Sequence, residues 1–197
     1  MNLRFDDKTF PGPFSFCQFV HSIFTKRDNT LPIHSFHLNS GHYYYKTDFY
    51  GFVYAAITRG VQNLSIDFSH SDFHRITLST FVLTTKTLSV LKLKRIAFNE
   101  ISYEDDPCFD LPSLKVLHLE SVAFTFYKHI RKLLYACPIL EELEIKDLIV
   151  KKQCMELPAG TDVLSNLVRA NISGWIIELH WLHNVHHLCI KLCPEDV

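Results

Sequence analysis

A chain of 197 residues that is 47% apolar and 13% aromatic carries enough hydrophobic material to close a core, which excludes a disordered protein. Lysine and arginine total 20 against 21 for aspartate and glutamate, so no net field draws the chain toward nucleic acid or an anionic membrane surface. Met1 to Phe10 lacks the apolar stretch of a secretory signal, and no segment approaches the ~20 apolar residues of a spanning helix; the expected location is intracellular, cytoplasmic or nuclear.

In chain order, Phe14 to Thr25 follows Pro11-Gly-Pro13 and reads as a helix, though with a weak pattern. A strand is expected near 33–38, followed by the aromatic run His42-Tyr-Tyr-Tyr45, which suits either packing on the outer layer or anchoring a partner. Phe49, Phe52, Val53, Ala56 and Ile57 then follow helical spacing, with Thr47 or Asp48 as the cap and Gly60 as the stop. Strands are expected near 62–67, 89–94 and 115–120. Between the last two, Asn99 to Pro107 shows no period and reads as a loop, its Glu104-Asp-Asp106 cluster being a solvated acidic tip. Phe126, Ile130, Leu133, Leu134 and Cys137 mark a second helix that Pro138 closes, and Val150 to Pro158 reads as another loop. The remaining strands are expected near 141–146, 168–173 and 186–191.

These strands are copies of one another. The triplets Phe36-His-Leu38, Leu64-Ser-Ile66, Leu91-Lys-Leu93, Leu117-His-Leu119, Leu143-Glu-Ile145, Ala170-Asn-Ile172 and Leu188-Cys-Ile190 end at steps of 28, 27, 26, 26, 27 and 18 residues. Leu88-Ser-Val-Leu-Lys-Leu93, Leu114-Lys-Val-Leu-His-Leu119 and Leu140-Glu-Glu-Leu-Glu-Ile145 fit LxxLxL, the leucine-rich-repeat signature. Because successive side chains of a strand face opposite ways, each L-x-L points its outer pair inward, and one repeat cannot bury that edge alone. The expected fold is therefore α/β: one leucine-rich-repeat solenoid over residues 1–197, with a parallel sheet on its concave face and helices and turns on its convex face.

The concave face is where a solenoid usually meets its partner. The outward positions are Ser65 and Asp67, Lys92 and Lys94, His118 and Glu120, Glu144 and Lys146, Asn171 and Ser173. Of these Asp67, Lys92, Lys94, His118, Glu120, Glu144, Lys146 and Asn171 form the candidate protein-binding stripe. Their mixed charges either neutralise one another across strands or meet a partner.

Other chemistry is weakly signalled. His180, His183, His186, His187, Cys189 and Cys193 are ligand types that zinc prefers, but their spacing is irregular and strand alternation separates them, with Leu188 and Ile190 expected in the core. Six cysteines, Cys17, Cys108, Cys137, Cys154, Cys189 and Cys193, are scattered as reduced thiols would be, and Cys137 on an apolar stripe reads as buried and inert. The sequons at Asn63 and Asn171 mean little inside a cell. No phosphate-cradling glycine loop, G-x-S-x-G elbow or H-E-x-x-H helix occurs, so no catalytic residue, cofactor or metal is expected. Leu188 to Leu192, as the last strand, is expected to leave an exposed edge that promotes self-association.

Several phrases resemble the plant F-box proteins that carry leucine-rich repeats and often a carboxyl-terminal FBD domain. Leu3-Arg-Phe-Asp-Asp7 looks like the strand following the F-box in that family, and Pro32-Ile-His-Ser-Phe-His-Leu38 like its first repeat strand. Ala55-Ala-Ile-Thr-Arg-Gly-Val-Gln-Asn-Leu-Ser-Ile66 is similar to the family's A-x-x-R-x-V-x-x-L-x-L passage. Leu111-Pro-Ser-Leu-Lys-Val-Leu-His-Leu119 and Leu133-Leu-Tyr-Ala-Cys-Pro-Ile-Leu-Glu-Glu-Leu143 are close to family signatures. The resemblance implies that the repeats hold a protein substrate. It also implies that a Skp-type adaptor and a cullin join only if an F-box is present in the full-length product. Neither F-box helices before Leu3 nor an FBD region after Cys193 is recognisable, so the expected role is the binding half of such a receptor, or else a decoy uncoupled from ubiquitination.

Overall fold

Alternation of apolar and polar residues gives each repeat one short strand, and in the computed structural model eight of these run parallel, in chain order, in one sheet. The structure describes residues 1–28, 30–41, 46–68, 76–98, 107–152, 164–173 and 179–191. The eight strands are β1 (Asn2–Asp6), β2 (Ser35–Asn39), β3 (Asn63–Asp67), β5 (Val90–Lys94), β7 (Val116–Glu120), β9 (Glu142–Lys146), β11 (Arg169–Ser173) and β12 (His187–Lys191). Their register follows the repeat, so that Leu3, Phe36, Leu64, Leu91, Leu117, Leu143, Ala170 and Leu188 form one inward row across the sheet. A parallel stack of this kind is the leucine-rich-repeat architecture.

The repeats of β5, β7, β9, β11 and β12 enter their strands through the same turn. The N–H groups of Leu88, Leu114, Leu140, Leu167 and Val185 donate to the carbonyls of Thr85, Leu111, Cys137, Leu164 and Leu182, three residues earlier. Cys137 thus occupies the position that Leu111 and Leu164 fill in neighbouring repeats, and all three are buried. Its thiol donates to the Leu133 carbonyl at 3.1 Å, and burial pushes its pKa up to about 12, so it is an inert core thiol. Just beyond each turn, single carbonyls of Gln62, Ser89, Lys115, Glu141 and Val168 each accept two N–H groups from the next repeat, which locks the stacking distance.

Helices lie on the other side of the core. α1 (Pro13–Lys26) begins with proline at its first turn, where the missing N–H costs nothing, and buries Phe16, Cys17 and Val20. α2 (Lys46–Thr58) starts before Thr47 and Asp48, so both lie inside its first turn and neither is the expected cap. Its end is as expected, with Gly60 at φ +73° in the left-handed region. The rings of Phe24 and Phe52 stack between α1 and α2, their centroids 6.2 Å apart. α3 (Tyr127–Tyr135) buries Ile130, Leu133 and Leu134, and it ends before Cys137 and Pro138.

The outer layer also holds a second sheet, absent from the expected pattern of helices and turns. It consists of β10 (Ile149–Lys152), β8 (Ala123–Phe126), β6 (Ile96–Phe98) and β4 (Ile76–Leu78), in that order. Val150 to Lys152, expected as loop, is therefore strand, while Asn99 to Asp106 and Gln153 to Pro158 lie outside the described residues. The chain turns from the first sheet into the second at Arg95, Ser121 and Asp147, whose φ values are 55°, 52° and 49°. These residues recur every 26 positions, and the left-handed conformation makes the corner at each. Ser121→Val is expected to lower the unfolding free energy by about 1–2 kcal/mol, because a branched side chain disfavours that conformation. Urea denaturation checks this, and an unchanged midpoint would show that the corner tolerates any residue.

His129 on α3 is fully buried and neither ring nitrogen has a hydrogen-bond partner among the described residues; the ring meets Phe126 edge-on at 5.5 Å. Burial first, and Lys128 second, hold its pKa below the ordinary histidine value. In the unfolded chain the group takes a proton as pH falls through about 6.5, whereas the folded state resists it. Stability present above that pH is therefore lost on acidification toward the lowered folded value, and His129→Leu should remove part of this dependence in denaturation series between pH 8 and 5.

The polar face of the eight-stranded sheet

Period-two alternation sends three side chains of every strand to the face opposite the core, and parallel register lines them up as three rows across the sheet. The middle row is Arg4, His37, Ser65, Lys92, His118, Glu144, Asn171 and Cys189. The next row contains Asp6, Asn39, Asp67, Lys94, Glu120 and Lys146, followed by Ser173 and Lys191. All eight stripe residues chosen from the sequence, Asp67, Lys92, Lys94, His118, Glu120, Glu144, Lys146 and Asn171, stand in these two rows and are half-buried.

The third row, two residues earlier in each strand, was not selected from the sequence, although period two alone would have found it. It brings Glu142 and Arg169 to the face, and they organise its carboxyl-terminal half. One Glu142 oxygen lies 2.7 Å from His118 Nε2, and the other accepts from the Arg169 guanidinium at 2.7 and 3.0 Å. Arg169 first and His118 second hold the Glu142 carboxyl below the usual carboxylate range. Lys94 pairs across strands with Glu120 at 3.0 Å, and Lys146 pairs along its own strand with Glu144, which lowers the carboxyl and raises the ammonium. Exposed pairs of this kind are worth only about 0–1 kcal/mol each, so they orient side chains more than they hold the fold. On β5, β7 and β9 charges meet across strands at Lys94–Glu120 and His118–Glu142, Lys146 turns to its own strand, and His118 takes Glu142 as its hydrogen-bond partner in place of Glu144 directly opposite.

Beside this network an open groove of about 510 Å³ runs over β9, β11 and β12, lined by Glu142, Glu144, Arg169, Asn171, His187 and Cys189 among others. The rest of the histidine–cysteine tail does not converge: among the described residues no group of three His, Cys, Asp or Glu side chains could hold a metal ion. Cys193, the side chain of His180, the run His42–Tyr45 and the cluster Glu104–Asp106 lie outside the described residues. Leu188 and Ile190, expected in the core, are 49% and 42% exposed, because no further strand among the described residues stacks on β12. No helix among the described residues is long and apolar enough to cross a membrane.

Residues 51–178 match the family model of the FBD-associated F-box protein At5g56370, LRR repeats. In Arabidopsis thaliana, the FBD-associated F-box protein At5g56560 is 30% identical over 86% of this chain and 38% of its own length. The F-box/FBD/LRR-repeat protein At4g26340 is 34% identical over 73% of the chain and 34% of its own length. The FBD-associated F-box protein At5g56370 is 34% identical over 57% and 26%. The chain thus spans between about a quarter and two fifths of these curated relatives. No solved structure matches it significantly.

Proposed function

The chain belongs to the leucine-rich-repeat family of the FBD-associated F-box proteins, and from that premise we propose that its polar sheet face binds a protein substrate within a receptor of the F-box type. The repeats are a protein-interaction module. The observation that supports this use of the face is the continuous register of polar side chains over eight parallel strands, a surface rigid enough to present fixed groups to an extended partner. Its groups perform no bond-making step in this proposal. They contribute hydrogen bonds and charge, while the core behind them supplies rigidity.

In the longer protein, an F-box would recruit a Skp-type adaptor and through it a cullin ubiquitin ligase, with the repeats choosing what is modified. Two measurements test the halves of this proposal separately. Cross-linking of partners to the chain, followed by peptide mapping, should place contacts on β3, β5, β7, β9 and β11; contacts confined to α1, α2 and α3 would overturn the use of the face. Co-purification of the full-length gene product with a Skp-type adaptor should succeed, and its failure would favour an interaction protein uncoupled from ubiquitin.

A further inference from the structure

The charges of the polar face are not satisfied evenly. On its carboxyl-terminal half Lys94, Glu120, His118, Glu142, Arg169, Glu144 and Lys146 all have partners. On its amino-terminal half Arg4, His37 and Lys92 occupy one row on β1, β2 and β5, with only Ser65 of β3 between the last two, and none of the three has an ion-pair partner among the described residues. Resting on the proposal that this face binds protein, we infer that the Arg4–His37–Ser65–Lys92 row receives an acidic segment of the partner.

Charge complementarity carries the inference. A row of unpaired basic groups repels itself, and the effect reaches His37: burial first, then Arg4 and Lys92, hold its pKa below the ordinary histidine value. Carboxylates brought by a partner would relieve that repulsion and meet groups already held in place by the sheet. Ser35 and Asn63 flank the row on one side with neutral donors and acceptors, and on the other side Asn39 stands between Asp6 and Asp67.

Geometry sets the form of the segment. Three strand spacings of about 4.8 Å separate Arg4 from Lys92, about 14 Å in all, and four residues of extended chain span nearly the same distance. Acidic side chains at positions i and i+4 of a strand laid across the sheet would therefore meet Arg4 and Lys92, with the i+2 side chain over His37 and Ser65. A nucleic-acid strand fits less well. Asp6 and Asp67 lie in the adjacent row and repel a continuous line of phosphates, whereas an extended peptide turns every second side chain away from the sheet and presents carboxylates only over the basic row.

The test uses fluorescence anisotropy of the chain with labelled decaglutamate, decaglutamine and a ten-nucleotide thymidine oligomer. Decaglutamate is expected to bind more tightly than either comparison probe, with affinity falling as salt rises. Arg4→Gln combined with Lys92→Gln should weaken it at least tenfold. Lys86→Gln combined with Lys115→Gln removes the same net charge from lysines that already pair with Asp110 and Glu141, and should leave binding within twofold. Equal losses in the two double variants, tighter binding of the oligomer, or no preference for decaglutamate over decaglutamine would overturn the inference. If decaglutamate shows no preference while cross-links still map to the sheet face, only the acidic segment is lost; cross-links confined to the helices would remove the binding face itself.

Discussion

Leu117→Ala is expected to lower the unfolding free energy by about 3–4 kcal/mol, several times the loss from His118→Ala one position away. The two side chains belong to the same strand but face opposite ways. Leu117 has no exposed surface and stands between Leu91 and Leu143 in the inward row, so truncation leaves a cavity bounded by three repeats. His118 faces the polar side, where its pairing with Glu142 is partly solvated and worth much less. Because each repeat of a solenoid is stabilised mainly by its neighbours, protection from hydrogen exchange in Leu117→Ala should fall most in β5, β7 and β9. Denaturation with urea gives the energies. Equal losses for the two variants would mean that the sheet does not stand over a core as described.

Asp7→Ala is expected to cost about 3 kcal/mol, a large effect for a single carboxylate. Asp7 follows β1 directly and is fully buried. Its carboxylate accepts from the Ser40 hydroxyl and from the Gly41 N–H at 3.0 Å, tying the exit of β1 to the exit of β2. Removal leaves both donors without that acceptor, and stranded buried polar groups cost about 1–3 kcal/mol each. Asp6, its neighbour, accepts from the Lys8 N–H and from Asn39 in solvent, and Asp6→Ala should cost less than about 1 kcal/mol. A double-mutant cycle of Asp7→Ala with Ser40→Ala should show a coupling above about 1 kcal/mol. Strict additivity would dissolve the link.

Much of this was legible from the repeat. An interval of 26 to 28 residues between copies of L-x-L implies stacked parallel strands, because no other arrangement buries every copy of the same apolar edge. The helices at Phe14 and Phe49 and the stop at Gly60 followed from spacing and from the tolerance of glycine for a positive φ. The second sheet did not. Its strands are only three or four residues long, too short for alternation to identify, and their evenly spaced corners fall on arginine, serine and aspartate in place of glycine.

The binding face divides in the same way. Alternation within a strand is local chemistry, so the sequence by itself determined which residues leave the core: Lys92, His118, Glu144 and Asn171 stand in one row because each is the x of its own L-x-L. Which charges find partners depends on distances between strands some 26 residues apart and on how far each side chain reaches. Glu142 taking both His118 and Arg169, Lys146 turning to Glu144 within its own strand, and Lys92 left without a counter-charge among the described residues were decided only by the tertiary structure. The exposure of Leu188 and Ile190 was decided there too, since an apolar side chain in the inward row is covered only where another repeat stacks against it.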